Sequence, residues 1–257
     1  MDMRNFTLTL IVAFCLLGLL LMTTGISAVA FAFIGIGAVL SFIILAQYFG
    51  YWRAIAISLI FIVLPSLVLI IQQKTGYPFS NFQFTPLAGL EITPGLPIIV
   101  PFFGLVLLVS GLFFCRYIII SALKGSLWYN YYLILSSALM LFAFALIILP
   151  AFTSQSYIVW SSPGRFYGVP GLSLIGWLLT ALLSYLAATK LYVFKINANP
   201  FYIKTASLMF VILVIYAGLI CLQAGYYLPF SIGAALVFVY LVQKYNFYKR
   251  KLLSPAI

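Results

Sequence analysis

Apolar residues in this chain do not follow the two- or 3.6-residue rhythm of a water-facing fold; they run almost unbroken through long stretches. A helix crosses a hydrocarbon layer about 30 Å thick with about 20 such residues. Eight runs of this kind are predicted, over residues 5–23, 27–49, 52–72, 96–121, 131–150, 170–190, 204–222 and 226–243. Lipid offers backbone groups no partners, and helices satisfy theirs internally. The runs are too continuous for the alternation of a membrane barrel, so the expected class is an all-α, polytopic transmembrane bundle. Only Gln223 to Tyr227 separate the last two runs, and seven crossings is the alternative if that pair is a hairpin that does not span. Residues 1–257 read as a single integral membrane domain.

Polar and turn-forming residues collect in two long stretches, 73–95 and 151–169, each rich in Pro, Gly, Ser, Thr and aromatics. Both are predicted on one face of the bundle, over a common mouth, where function tends to gather. Pro65 is expected to kink the third helix, and Pro97 and Pro101 to sit in the opening turns of the fourth. The plainer alternative is that membrane helices tolerate proline. The first run has a rival reading as a cleaved signal peptide ending at Ala28-Val29-Ala30. Its apolar stretch is longer than such peptides carry and its basic leader is Arg4 alone, so it is read as retained.

Charge changes the picture next. The chain holds 13 Lys and Arg, two acids and no histidine. An inside N-terminus and eight crossings place Arg4, Arg53, Arg116, Lys124, Lys190, Lys195, Lys204, Lys244, Lys249, Arg250 and Lys251 on the inner side, leaving Lys74 and Arg165 outside. Both termini are therefore expected to be cytoplasmic, in a multi-pass protein of the cell membrane. The net charge of +11 is a topology signal, and without a water-exposed basic domain nucleic acid is not an expected partner. With three charges the Lys249-Arg250-Lys251 cluster reads as a plain anchor, contact with anionic headgroups being the alternative. Cys15, Cys115 and Cys221 lack metal-site spacing and read as buried thiols, so no metal and no cofactor is expected.

Chemistry has few places to reside. The carboxylates are Asp2 and Glu91. Glu91 is the candidate acid: dipping toward the bundle would desolvate it and keep it protonated as a proton donor. The alternative is a solvated loop carboxylate near Lys74 or Arg165. Aromatics are abundant at 18% of the chain. Trp128, Tyr129, Tyr131 and Tyr132 read as an interfacial belt, as do Tyr245, Phe247 and Tyr248. Tyr77, Phe79, Phe82, Phe84, Trp160, Phe166 and Tyr167 are denser than a belt requires and would suit a flat, greasy ligand. Loop packing is the alternative for these.

The two polar stretches carry ordered blocks. The first is Thr75-Gly76-Tyr77-Pro78-Phe79, then Phe82, Phe84 and Thr85, then Gly95-Leu96-Pro97-Ile98-Ile99-Val100-Pro101. The second is Trp160, Gly164, Phe166-Tyr167-Gly168-Val169-Pro170 and Gly176-Trp177. Over residues 70–180 the chain resembles the bacterial and archaeal carotenoid biosynthesis membrane family, which includes carotenoid 1,2-hydratases and a bisanhydrobacterioruberin hydratase. The resemblance implies a long C40 or C50 polyene ligand and addition of water across a terminal double bond. With the hydratase reading Glu91, the remaining loop acid, is the candidate proton donor as a relocated acid, and Tyr77, Phe79, Phe84, Trp160, Arg165, Tyr167 and Trp177 are the candidate residues around the ligand. The chain departs from the family pattern at Pro86 and Leu149, where acids are usual, and at Ser173, where Asn is usual.

Two function classes follow: a hydratase of carotenoid or isoprenoid end groups, or a non-catalytic membrane subunit that binds pigment, quinone or lipid within a larger complex. A small-molecule transporter has the helix count but no polar path. Expected partners are membrane lipids, a long apolar polyene or isoprenoid, and other membrane subunits.

Overall fold

The computed structural model describes residues 3–24, 27–119, 128–190 and 199–253. Asp2, Lys124 and Lys195 lie outside them, as do the side chains of Phe247, Tyr248 and the Lys249-Arg250-Lys251 cluster. Among the described residues there are eight helices, each long and apolar enough to cross a membrane: α1 (Met3–Thr24), α2 (Ser27–Phe49), α3 (Tyr51–Thr75), α4 (Ile99–Ile119), α5 (Tyr129–Ser154), α6 (Gly171–Thr189), α7 (Pro200–Gln223) and α8 (Tyr227–Leu253). The eight-span reading holds. Gly225, at φ +75°, turns the chain between α7 and α8 in a conformation that a side chain would strain.

Helix α4 sits at the centre and packs against α2, α3, α5 and α7. Its residues from Phe103 to Tyr117 are buried throughout. Several hydroxyls in the helices are satisfied locally, as lipid favours: Ser41, Ser137, Thr180, Ser184 and Ser207 each donate to the carbonyl four residues earlier. Tyr185 reaches farther and donates to the Leu108 carbonyl on α4 at 2.8 Å. Pro65 lies within α3, which continues unbroken to Thr75. Pro97 is not in the fourth helix as expected: it belongs to a short strand, and α4 starts at Ile99. The Leu96–Pro97 backbone pairs with an earlier segment before the helix can begin.

The two long stretches form a cap. The first holds β1 (Phe82–Phe84), a single 3-10 turn at Pro86–Ala88, β2 (Glu91–Thr93) and β3 (Leu96–Pro97); the second holds β4 (Ile158–Trp160). β2 and β3 pair as a small hairpin, while β1 pairs antiparallel with β4, Phe82 opposite Trp160 and Phe84 opposite Ile158. Both stretches therefore emerge at the same end of the bundle. By chain direction Arg4, Arg53, Arg116, Lys190, Lys204 and Lys244 stand toward the opposite end, and Lys74 and Arg165 at the capped one.

Candidate functional site

The cap is held by bonds that cross between its two stretches. The Thr85 N–H donates to the Tyr157 carbonyl at 3.1 Å, and its hydroxyl to the Ser156 carbonyl at 2.7 Å. Trp160 Nε1 donates to Thr153 Oγ1 at 2.9 Å, tying β4 to the end of α5. Alternation along the paired strands turns Phe82, Ile158 and Trp160 inward and leaves Gln83 and Val159 exposed. Phe82 is 5.0 Å from Trp160 and 5.2 Å from Phe84, ring to ring, so aromatic surface roofs the bundle.

Beneath this roof lies a cavity of about 90 Å³. Its walls come from α1, α2, α4, α5 and α7, with Phe84, Leu87 and Ala88 above. Gly89 seats the roof: at φ +92° it lies so close to the Phe31 ring that a Cβ would collide with it. Of the sixteen lining residues, Tyr157 and Tyr216 alone carry a polar side-chain atom. Tyr216 is 9% exposed. Neither hydroxyl makes a hydrogen bond among the described residues. Burial raises the Tyr157 phenol above its ordinary value near 10, so it stays protonated at neutral pH. A second, smaller chamber of about 30 Å³ sits deeper, bounded by Pro65, Gly104, Phe144 and Trp177 among others. Val100 and Ile148 line both spaces and stand between them.

The residues expected around a ligand divide sharply. Phe84 lines the larger cavity and Trp177 the smaller. Phe79 is buried in packing: its ring lies 6.0 Å from Trp177, and its carbonyl accepts a hydrogen bond from the Ser173 hydroxyl. Trp160 is buried in the roof. The Tyr167 ring packs at a tilt against Tyr226, 4.7 Å between centroids, pinning the second stretch to the α7–α8 turn. Tyr77, 68% exposed, and Arg165, also exposed, line neither cavity.

Glu91 does not dip toward the bundle. It is exposed on β2, and its carboxylate accepts the Gly95 N–H at 2.9 Å across the hairpin turn. Desolvation, on which its role as a proton donor depended, is missing there. Pro86, Leu149 and Ser173 do not line the larger cavity either. Among the described residues no three His, Cys, Asp or Glu side chains come together.

Tyr157 and Tyr216 were missed by sequence reasoning. Tyr157 lies just outside the ordered blocks, and Tyr216 is one phenol in an apolar run, Val211-Ile212-Leu213-Val214-Ile215-Tyr216. A signal existed for the second: a hydroxyl about 10 Å inside a span, at 1.5 Å per residue from Gln223, needs a partner or a cavity.

Comparison with curated proteins and with solved structures returns no match. The model of the family described as carotenoid biosynthesis protein matches residues 8–240, which takes in α2 to α7 whole, the entire cap, most of α1 and about half of α8. This multi-pass membrane chain belongs to the carotenoid biosynthesis protein family.

Proposed function

We propose that the cavity beneath β1 and β4 receives the end of a long polyene or isoprenoid chain, in a protein of the cell membrane with both termini cytoplasmic. The observation that carries this reading is the lining: fourteen of the sixteen residues present only carbon and hydrogen in their side chains. Such a wall repels charge and water and favours a hydrocarbon. At about 90 Å³ the space is smaller than the roughly 150 Å³ that takes benzene, so it fits a chain end and not a whole polyene. The rest of the ligand runs out past Leu87, 56% exposed, toward lipid.

Hydration of the terminal double bond is the second reading, favoured by the family. It requires an acid to protonate the alkene, after which water attacks the tertiary cation and releases a proton. Glu91 is the acid in the described chain and stands in solvent at the hairpin, away from the cavity lining. A binding role, within a complex of other membrane subunits, therefore fits the geometry better.

Expression in a lycopene-producing host separates the two. The binding reading expects pigment to co-purify with the folded protein and no hydroxylated product to accumulate, by chromatography and mass. It also expects Glu91→Gln to leave pigment retention unchanged within about twofold, as for an exposed side chain. Hydroxylated product that disappears in Glu91→Gln would establish hydration instead.

A further inference from the structure

We infer that the cavity selects an isoprenoid chain end bearing one neutral oxygen, a hydroxyl or a carbonyl, recognised by the phenols of Tyr157 and Tyr216. This rests on the proposed function and specifies the chemistry of the buried end. The two phenols reach the cavity from separate elements. Tyr216 comes from α7, and Tyr157 immediately precedes β4.

Tyr157 is fixed by its backbone on both sides: its N–H donates to the Phe152 carbonyl at 2.9 Å and its carbonyl accepts from Thr85 at 3.1 Å. Its ring meets Phe152 nearly edge-on at 5.7 Å, and the Tyr216 ring leans on Phe33 at 6.0 Å. Both rings are thus placed by packing, while both hydroxyls lack a hydrogen-bond partner among the described residues.

A buried hydroxyl without a partner is destabilising, and a hydrocarbon end would seal these two in that condition. A ligand hydroxyl can accept from one phenol and donate to the other; a carbonyl can accept from both. An anionic end is rejected, since no cation lines the space and a desolvated charge without a counter-ion is far costlier.

The test uses the full chain in mild detergent and two probes: an acyclic C40 polyene hydrocarbon, and the same polyene with a tertiary hydroxyl at one terminus. Binding is read from circular dichroism induced in the polyene absorption band. The hydroxylated probe is expected to bind about tenfold tighter, the worth of one net hydrogen bond. In the Tyr157→Phe/Tyr216→Phe double variant that preference should shrink to within about twofold, with hydrocarbon binding unchanged or tighter. Ala88→Phe, which fills the cavity from the roof, should abolish both signals, and Ala30→Phe does so from α2 if the first variant does not fold.

Equal binding of the two probes by the wild type, with both signals lost in Ala88→Phe, overturns the oxygen inference while leaving the cavity as the site. So does a preference that survives in the double variant. If neither probe binds, or binding ignores the cavity-filling variants, the site reading fails and the inference with it.

Discussion

The roof formed by β1 and β4 has two flanks that differ in how they are filled. Toward α3 and α6 the space directly under the roof is filled, leaving only the smaller chamber: Phe79 packs against the bare backbone of Gly176, beside Trp177, and Ser173 bonds its carbonyl. Toward α1, α2, α5 and α7 the same roof leaves the larger cavity open. Most residues of the two ordered blocks belong to the closed flank or to the loop turns. Small residues and prolines at fixed spacing mark where backbones must approach each other. That makes them a record of scaffold, and the cavity is lined mostly by side chains outside the blocks, Phe84, Ile99 and Val100 excepted.

Gly164→Ala should break the scaffold most severely. An added Cβ would run into the Val169 carbonyl, which is backbone and cannot swing away, inside the turn that Gly164 and Gly168 close with a 2.9 Å hydrogen bond. The expected cost is more than about 3 kcal/mol, seen as loss of monodisperse protein and of cooperative unfolding in detergent. Gly176→Ala follows. Its Cβ would lie 2.6 Å from Phe79 Cδ1 and 2.9 Å from the Pro78 carbonyl. The ring can give way but the carbonyl cannot, so about 1–3 kcal/mol should be lost in thermal unfolding. A neutral result would mean that the closed flank is looser than its contacts imply.

The spans were legible because a lipid solvent demands long apolar runs, and nothing else in a chain of this size needs so many. Pro97 was misplaced because hydropathy does not register a backbone that pairs before it coils. The β1–β4 pairing was not legible: Phe82-Gln83-Phe84 and Ile158-Val159-Trp160 are three residues each, too short for a period-two signal. Glu91 attracted attention by scarcity, but scarcity carries no information about depth. Phe84, singled out from the aromatic density of the two stretches, and Trp177, from the second ordered block, do line cavities, whereas Tyr77, from the same reading as Phe84, lines neither. Tyr216 was hidden because its hydroxyl is a single atom in a helix whose composition reads as lipid-facing on every side.

Val100→Ala sharpens the contrast from the open flank. Val100 is half-buried and, with Ile148, stands between the two chambers. Trimming it should cost only about 1 kcal/mol, since the site is already loosely filled. It should also join the chambers and admit a longer stretch of chain. The expected outcome is polyene binding about threefold tighter, near 0.7 kcal/mol, in the induced-dichroism titration. Val242→Ala, on the exposed face of α8, serves as the control and should change nothing.

The smallest effect concerns Tyr157 and pH. Burial raises its phenol above the ordinary value near 10, so the folded chain holds that proton where the unfolded chain releases it. The stabilisation is fully present below pH 10 and is lost as pH rises through the folded value. Tyr157→Phe cannot lose a proton, so its unfolding temperature should fall less steeply than the wild type's above about pH 10. Below about pH 9 the two pH dependences should run parallel, because the phenol is protonated in both states. Taking the difference between the two chains removes the contribution of the tyrosines that do not interact with Tyr157, which excludes Tyr216. Parallel curves over the whole range would place the Tyr157 hydroxyl in water, and the open flank would then lose one of its two polar groups.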